Sequence, residues 1–505
     1  MTGPSEPSEH LTVSKPFRRE RVAVMAIVAL AIVARSTILI FWEQSHIDSD
    51  QAVIGLMGKH ISEGRAFPLF LYGQNYVFAV EAWMAAAVFL VTGASVAALK
   101  LPLLAVNLAV ALLLLRILER EARLRPAIAA VATLCFVLPP PATAAMLLEA
   151  NGVNVEPFLY VLLLWTTRQR PALFGVIFAI GFLQREFTAF ALLALTIVAA
   201  ATGDLFRRAT VRRGLVALSS AAAVWLIVAL AKPYASAAGP GTTIADLRAP
   251  TNNVLEALTR VCFDPTTILD GVVRLVATHW VRLFGTSVEP LWRFGIESGG
   301  NQGLPGSWLF LSAASVLAVT RIVLWVAAER RLRREHAFCA YLTAVGLLTA
   351  AAFVIARCGA QGHIRYALLS IYAMVGISAW YLAVERVRSL RTVWIVLVVL
   401  WASVAAFGHA RLWSEYLSHP PVSAKQMIIR HLQARGIRYG IADYWMAYYV
   451  SFVTNEQIIV AADDFSRIPD YDRQVQAHLG EAVRIARTPC AGGKEVIPGV
   501  YFCAP

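Results

Sequence analysis

Two aspartates, Asp48 and Asp50, stand one residue apart ahead of a helix-like pattern of apolar residues at 53, 54, 56, 57 and 61. Asp48 or Ser49 can cap that helix, which places Asp50 in the first turn, where backbone N–H groups and the helix dipole favour a carboxylate. An ionised aspartate there is a candidate general base or charge partner. Oxygen ligands also suit Mg²⁺ or Mn²⁺, so both aspartates are candidate metal ligands. The alternative is that they only cap the helix.

An arginine and a glutamate interrupt the apolar stretch from 171 to 202, at Gln184-Arg185-Glu186. A single helix would bury this ion pair in the middle of a membrane, which is costly. Two short helices would instead place Arg185 and Glu186 at the turn between them. Arginine is suited to bidentate recognition of phosphate, so Arg185 is a candidate phosphate ligand. The alternative is that Arg185 and Glu186 neutralise each other.

A second acidic segment contains Glu149 and Glu156 and is followed by Pro157, a residue suited to opening a helix. Helix capping by Asn154 and Glu156 is the alternative to a catalytic role. Basic residues on the same side add positive charge. They are Arg35, in the outer half of the first apolar run, and Arg357, His363 and Arg365, around the turn before the run 364–384.

The composition shows what must position these residues. The 505 residues are 58% apolar and 15% charged, with a mean hydropathy of +0.61. Soluble proteins are about 45–50% apolar and about 25% charged, so a soluble globular protein is excluded. The apolar residues form long runs separated by arginine-rich stretches, which predicts an all-α polytopic membrane protein. The six cysteines form no Cys-x-x-Cys pair, which excludes a zinc ribbon or redox motif of that type.

The net charge of +13 comes from clusters of basic residues between the apolar runs. The positive-inside rule states that short cytoplasmic loops carry the excess of lysine and arginine. If the chain crosses the membrane eleven times, all six basic clusters fall on the same side, which is then the cytoplasmic side. We therefore expect a multi-pass protein of the cell membrane (inner or plasma membrane), with a cytoplasmic N-terminus, an extracytoplasmic C-terminus and no nucleic-acid partner. The first run is too long for the core of a cleavable signal peptide. The predicted spans are 22–42, 99–118, 127–147, 155–167, 171–184, 188–202, 214–232, 306–328, 337–356, 364–384 and 391–411.

A twelfth apolar segment, 77–91, would place the N-terminal basic cluster on the wrong side if it crossed. We therefore expect it to lie in the membrane interface, within a long first external loop. Cys490 and Cys503 lie in a polar C-terminal region that is predicted to be a small extracytoplasmic α/β domain, where they form either a disulfide or two free thiols. The predicted organisation is a cytoplasmic tail (1–20), a membrane domain (21–412) with external loops 43–98 and 233–305, and a C-terminal domain (413–505).

The predicted outer face combines carboxylates in one loop with arginines at several helix ends, beside an apolar interior open to lipid. This combination suits a phosphate-bearing lipid as one substrate and a hydroxyl compound as the other. Carboxylates would activate the hydroxyl, and arginines would hold the departing phosphate.

The first external loop carries a family resemblance. Asp48-Ser49-Asp50-Gln51-Ala52, with Gly64 to Pro68, Tyr72 to Tyr76 and Glu81-Ala82-Trp83, resembles loop one of GT-C glycosyltransferases. The most similar branch holds protein O-mannosyltransferases, the aminoarabinose transferase of lipid A and Rgt-like bacterial enzymes. The resemblance implies a GT-C fold with interfacial helices in loop one. It also implies a polyprenyl-phosphate sugar as donor, a lipid, glycan or protein as acceptor, and inversion at the anomeric carbon.

The resemblance also implies roles for individual residues. Asp50 matches the acidic residue of loop one that is implicated in catalysis, and Asp48 completes a D-x-D form. Glu156 matches an acidic residue of the second loop, and Arg185 falls where the aminoarabinose transferase has a phosphate-facing lysine. Arg365-Tyr366 resembles an Arg-Tyr pair at the start of a late span. The catalytic candidates are therefore Asp50, Asp48 and Glu156, and the substrate-binding candidates are Arg185, Arg365, Tyr76, Glu81, Glu149 and Arg35.

We therefore expect an integral membrane glycosyltransferase in which Asp50 orients or deprotonates the acceptor hydroxyl. A transporter or flippase of lipid-linked sugars is the alternative from another class. It would show polar residues at mid-membrane and helices broken at matching places in two halves, and the sequence shows neither. A receptor or assembly protein without turnover is a further alternative.

Overall fold

The computed structural model describes residues 15–42, 47–152, 154–242, 264–285, 307–329, 332–355, 364–418 and 423–505. Helices make up the membrane domain. They are α1 (Lys15–Phe41), α2 (Ser49–Ser62), α3 (Val80–Thr92), α4 (Val96–Glu121), α5 (Pro126–Val137), α6 (Pro141–Met146), α7 (Glu156–Thr167), α8 (Pro171–Gln184), α9 (Thr188–Ala201), α10 (Arg208–Ala231), α11 (Pro265–Arg274), α12 (Val281–Phe284), α13 (Ser307–Glu329), α14 (Ala337–Ile355), α15 (Ile371–Val384) and α16 (Arg388–Ser418).

Seven helical segments of the described chain are long and apolar enough to cross a membrane. They are built on α1, α4, α10, α13, α14, α15 and α16, and they coincide with seven of the eleven predicted spans. The other four predicted spans contain only helices of 14 residues or fewer. A crossing ordinarily needs about 20 residues, so the number of eleven stays a prediction.

Proline and polar residues explain where the predicted spans are interrupted. The segment 127–147 is not one helix: α5 ends at Val137 and α6 begins at Pro141, because the prolines at 139–141 cannot continue the backbone hydrogen bonding of a helix. The segment 171–202 divides at Arg185–Phe187 into α8 and α9. This confirms the predicted pair of short helices, which carries Arg185 out of the apolar helix interior.

Loop one is folded around α2. This helix is buried along almost its whole length, with α3 packed against it and α4 packed against α3. The chain between α2 and α3 folds back on itself through a bridge between Phe70 and Phe78. Because α3 has 13 residues, its length fits the interfacial position predicted for 77–91 better than a crossing.

The predicted loop 233–305 contains a helix that sequence analysis missed. The described residues 264–285 of this loop contain α11, a π-helical stretch at Leu275–Trp280 and α12. Trp280 donates a hydrogen bond to Ser312 of α13 at 3.0 Å, and the indole of Trp401 in α16 donates one to the Phe284 carbonyl at 2.7 Å. These contacts hold the segment against the membrane helices.

The C-terminal domain has the predicted small α/β fold. Its five strands are ordered β2-β1-β3-β5-β4, with β1 parallel to β2 and β3, and β5 antiparallel to β3 and β4. A disulfide joins Cys490 to Cys503. The last membrane helix continues to Ser418, beyond the boundary predicted at 413. The elements of the domain are α17 (Ala424–Ala434), β1 (Tyr439–Ala442), α18 (Tyr444–Val453), β2 (Ile459–Ala462), α19 (Pro469–Ala477), β3 (Val483–Ala486), β4 (Lys494–Ile497) and β5 (Val500–Cys503).

The C-terminal domain packs on loop one through α18 and α2. The approach is close at Gly55, where a Cβ atom would clash with the ring of Phe452; that ring also stacks on Phe89 of α3. A half-buried carboxylate, Glu456, follows α18 and contacts Lys59, His60 and Arg65 of loop one. This packing places the first turns of α2 and α18 side by side.

Candidate active site

An open cleft of about 650 Å³ lies between loop one, the turn joining α8 and α9, the 3₁₀ helix that precedes α15, and the C-terminal domain. One carboxylate, three guanidinium groups and four tyrosines contribute to its walls. The charged and polar residues of the lining are Asp50, Tyr72, Gln74, Tyr76, Asn151, Arg185, Arg365, Tyr366, Tyr444 and Arg467.

Asp50 reaches the cleft because Asp48 caps α2. Asp48 Oδ1 accepts a hydrogen bond from the Gln51 N–H at 3.0 Å, so Asp50 lies in the first turn as predicted. Asp50 Oδ1 accepts a hydrogen bond from the Tyr444 hydroxyl at 2.7 Å. Its Oδ2 lies 3.7 Å from Nη1 of Arg365. The side chain is 28% exposed, so this carboxylate is available to a substrate in the cleft.

Asp48, unlike Asp50, is not among the residues that line the cleft. Burial raises the pKa of Asp48, and the charge of Asp50 raises it further. A buried lysine of the C-terminal domain, Lys425, lies close enough to favour the ionised form. Burial lowers the pKa of Lys425 to about 8, against the effect of the Asp48 and Asp443 carboxylates. Asp48 therefore organises the helix end and the domain contact behind the cleft.

Glu149 is half-buried and lies near enough to Asp48 to be affected by its charge. Burial raises its pKa to about 7, and the charge of Asp48 raises it further. Its Oε2 accepts hydrogen bonds from the side-chain amides of Asn151 and Asn154, at 3.2 and 3.1 Å. Asn151 also lines the cleft, so Glu149 supports the cleft wall.

Two arginines face the cleft from different membrane helices. Arg185 stands at the C-terminal end of α8, and Arg365 lies in the 3₁₀ helix before α15. Both guanidinium groups approach the ring of Tyr366, at 5.4 and 5.3 Å from its centroid. Glu186 is a distant ion partner of Arg185, at 3.9 Å. The structure thus brings Asp50, Arg185 and Arg365 together, as the proposed chemistry needs.

The C-terminal domain contributes Tyr444 and Arg467, which sequence analysis did not select. Arg467 donates a hydrogen bond to the Tyr72 carbonyl at 3.1 Å, and its guanidinium lies 4.8 Å from the ring centroid of Phe465. The aromatic motif around Tyr444 is visible in the sequence. Its link to Asp50 spans 394 residues, and no local pattern reports a contact over that separation.

Five of the predicted site residues lie outside the cleft lining, whereas Tyr76 is part of it; the five are Asp48, Glu149, Arg35, Glu81 and Glu156. Arg35 is buried and donates hydrogen bonds to the Phe136 carbonyl at 2.9 Å and to Asn107 Oδ1 at 2.8 Å, so it joins α1 to α4 and α5. Glu81 and Glu156 are both 3% exposed. Burial and the adjacent Glu156 carboxyl raise the pKa of Glu81 well above its usual range. Arg357 and His363 lie outside the described residues.

The carboxylates do not form an evident metal site. In the part of the chain that the structure describes, no three His, Cys, Asp or Glu side chains converge as metal ligands would. Asp48 Oδ1 is engaged by the Gln51 N–H, and Asp50 faces the guanidinium of Arg365.

Comparisons with known proteins bear on the fold. No family model and no curated protein matches the sequence. Among solved structures, the chain is similar to the oligosaccharyltransferase AglB from Archaeoglobus fulgidus in complex with an inhibitory peptide and a dolichol-phosphate. That match has a TM-score of 0.54 at 13% identity and covers 94% of this chain and 70% of that one. This chain is also similar to ArnT from Cupriavidus metallidurans bound to undecaprenyl phosphate. That match has a TM-score of 0.54 at 11% identity and covers 94% of both chains.

The chain has the GT-C fold. A second structure of the Archaeoglobus fulgidus oligosaccharyltransferase, in complex with zinc and sulfate, matches at a TM-score of 0.51 and 13% identity over 92% of this chain and 68% of that one. The match to ArnT spans the chain nearly end to end. The GT-C fold predicted from loop one is thus confirmed.

Proposed function

We propose that this GT-C protein is a membrane glycosyltransferase that takes a sugar from a polyprenyl-phosphate donor and transfers it to a hydroxyl group. The observation that carries the proposal is the cleft itself, in which the Asp50 carboxylate faces Arg365 and both Arg365 and Arg185 approach the ring of Tyr366. Two neighbours of the same fold are bound to a dolichol-phosphate and to undecaprenyl phosphate. Both are the kind of lipid phosphate that paired arginines can hold.

The reaction follows from the placement of these groups. The acceptor oxygen attacks the anomeric carbon, and Asp50 orients the hydroxyl and receives its proton. The bond between the anomeric carbon and the phosphate oxygen breaks with inversion, and the lipid phosphate leaves with the bonding electron pair. Arg185 and Arg365 stabilise the negative charge that develops on that phosphate. Each step uses side chains that line the cleft.

The proposal extends to topology and substrates. The cleft opens between loop one and the C-terminal domain, which the positive-inside rule assigns to the extracytoplasmic face. The disulfide Cys490–Cys503 fits an oxidising compartment. The transferred sugar is a hexose or a pentose, and the acceptor is a hydroxyl of a lipid, a glycan or a protein.

The test uses the full chain in liposomes that contain undecaprenyl phosphate carrying a labelled hexose or pentose, with cell-envelope extract as the source of acceptor. Wild-type protein is expected to move label from the lipid fraction to an acceptor or to water, and Asp50→Asn is expected to abolish this. Movement of the intact donor between leaflets without loss of its sugar would instead support a flippase. Full transfer by Asp50→Asn would overturn the catalytic assignment.

A further inference from the structure

Tyr444 is the residue through which the C-terminal domain reaches Asp50. It begins α18, immediately after Asp443, which caps that helix by accepting a hydrogen bond from the Met446 N–H at 3.0 Å. The N–H of Tyr444 itself donates to Asp464 Oδ1 at 2.8 Å. Two carboxylates of the C-terminal domain therefore hold the backbone around Tyr444.

The ring of Tyr444 is held as firmly as its backbone. Trp445, Tyr448 and Phe465 pack around it with centroid distances of 5.2, 5.4 and 5.8 Å. The residue is 7% exposed, although its hydroxyl lies at the cleft. A tyrosine side chain has only two rotatable bonds before its ring, so this packing determines where the hydroxyl lies.

The hydroxyl is a hydrogen-bond donor to Asp50. Burial raises the pKa of Tyr444 above its usual range, and the charge of Asp50 raises it further, so the phenol stays protonated. Its bond occupies Oδ1 of Asp50 and leaves Oδ2, which lies on the side of Arg365. One oxygen is thereby held by the C-terminal domain, and the other lies near Arg365, which also lines the cleft.

We propose that Tyr444 is a positioning residue for the reaction, which sets the rotamer of the Asp50 carboxylate so that Oδ2 receives the acceptor hydroxyl. This inference rests on the proposed function. It makes the C-terminal domain part of the active site, because the hydrogen bond to Oδ1 comes from Tyr444. A misplacement of about 1 Å in a reacting group can cost about 10²-fold in rate.

The decisive comparison is Tyr444→Phe with Tyr471→Phe. Each substitution removes one phenolic hydroxyl that donates to a carboxylate at 2.7 Å, to Asp50 in the first case and to Glu456 in the second. Both tyrosines belong to the C-terminal domain, and both rings remain. The assay is release of label from a polyprenyl-phosphate sugar that the wild-type chain consumes in liposomes, with kcat and the donor KM measured separately and with thermal unfolding of each purified variant.

Tyr444→Phe is expected to lower kcat by about 10- to 100-fold, with the donor KM within about twofold of wild type and the unfolding midpoint unchanged. Tyr471→Phe is expected to retain kcat within about twofold. Equal loss of kcat in the two variants would overturn the proposal. It would show that the loss comes from weaker docking of the C-terminal domain on loop one, which both variants share, and not from the Asp50 carboxylate. Normal kcat in Tyr444→Phe beside an inactive Asp50→Asn would also overturn it and leave the proposed function standing.

Asp50→Glu adds a second readout, because its longer side chain moves the carboxylate away from the hydroxyl. In that background, Tyr444→Phe is expected to change the remaining rate by less than about twofold, since the two residues act as a unit. If the double variant lost a further factor of about 10- to 100-fold in kcat relative to Asp50→Glu, Tyr444 would act independently of Asp50. That result would overturn the positioning role. Wild-type protein that consumes no donor would instead overturn the proposed function itself, and full activity of Asp50→Asn would overturn the catalytic role of Asp50.

Discussion

Two carboxylates lie where loop one meets the C-terminal domain, and they have similar partners but different surroundings. Glu456 accepts a hydrogen bond from Tyr471 at 2.7 Å, lies 3.0 Å from His60 Nε2 and pairs with Lys59 and Arg65. Asp50 accepts one from Tyr444 at 2.7 Å and faces Arg365 at 3.7 Å. The Glu456 side chain is 11% exposed and the Asp50 side chain is 28% exposed.

The difference lies in how completely each carboxylate is engaged. Burial raises the pKa of Glu456, but the hydrogen bonds from His60, Arg65 and Lys59 outweigh it and hold the pKa well below its usual range. A carboxylate bound in this way stabilises the fold and cannot readily accept another proton. Asp50 has one firm partner and an open face, which is what a proton acceptor in a transferase needs.

Replacing Asp50 should separate chemistry from stability most clearly. Asp50→Asn keeps an oxygen for Tyr444 but removes the base, so we expect transfer to fall by about 10²- to 10⁴-fold with an unchanged unfolding midpoint. The matched control is Asp470→Asn, which removes a carboxylate from a more exposed part of the C-terminal domain. Sugar transfer in liposomes and thermal unfolding in detergent measure the two effects. A variant that loses stability along with activity would contradict the contrast with Glu456.

Replacing Glu456 should have the opposite profile. Glu456→Gln leaves Lys59 and Arg65 with Glu63 as their remaining counter-charge, and we expect a loss of about 2 kcal/mol in the free energy of unfolding of the docked C-terminal domain. Glu63→Gln is the control, because Glu63 pairs with the same two cations but is 40% exposed. Its loss should stay below about 1 kcal/mol. Denaturant titration followed by the domain's tryptophan fluorescence measures both, and equal losses would refute the distinction.

Replacing Arg185 should have a smaller effect, which concerns the affinity for the lipid phosphate. Arg185→Gln removes one of the two proposed phosphate ligands near Tyr366, and we expect the affinity for undecaprenyl phosphate to fall by about 10- to 100-fold. Arg170→Gln is the control, since Arg170 stands at the opposite end of the same helix and should leave affinity unchanged. Binding of labelled undecaprenyl phosphate to the purified protein measures both. Unchanged binding in Arg185→Gln would remove Arg185 from the site.

Acidification should loosen the Glu456 contact by a modest amount. Burial lowers the pKa of His60, only partly offset by its bond to Glu456, and the pKa of Glu456 is also held low. A group whose pKa is lower in the folded state stabilises the fold at higher pH and loses that effect as the pH falls. The stability that the Glu456 contact contributes should therefore fall from about pH 6.5, where an unfolded histidine takes up a proton, and further below about pH 4.3. The difference in unfolding midpoint between wild type and Glu456→Gln, measured between pH 7.5 and 4, tests this, and a difference that widens on acidification would contradict it.

Chelation should have the smallest effect. We propose that Arg365 and Tyr444 supply the positive charge and hydrogen bonding that Asp50 needs, in place of a divalent cation held by Asp48 and Asp50. Transfer in EDTA is therefore expected to stay within about twofold of transfer in Mg²⁺ or Mn²⁺. A large loss that Mg²⁺ or Mn²⁺ restores would show that Asp48 and Asp50 hold a metal ion.

Local sequence patterns were sufficient for the parts of this molecule that depend on near neighbours. The cap at Asp48, the first-turn position of Asp50 and the break at Arg185 each follow from a few consecutive residues and the cost of burying charge in a helix. The break in 127–147 could also have been predicted, because consecutive prolines end a helix. The sequence analysis gave more weight to the apolar composition and predicted one continuous span. Sequence analysis missed α11 in the second external loop because this helix contains no long apolar run.

The sequence by itself therefore determined a polytopic membrane protein with the GT-C fold, and it singled out Asp50, Arg185 and Arg365. Only the tertiary structure decided that Tyr444 and Arg467 join them, that Arg35 and Glu156 lie elsewhere, and that Glu456 holds the C-terminal domain on loop one. The physical reason is that caps and spans are set by interactions within a few turns of chain. The cleft is made by contacts across hundreds of residues, which depend on how whole elements pack.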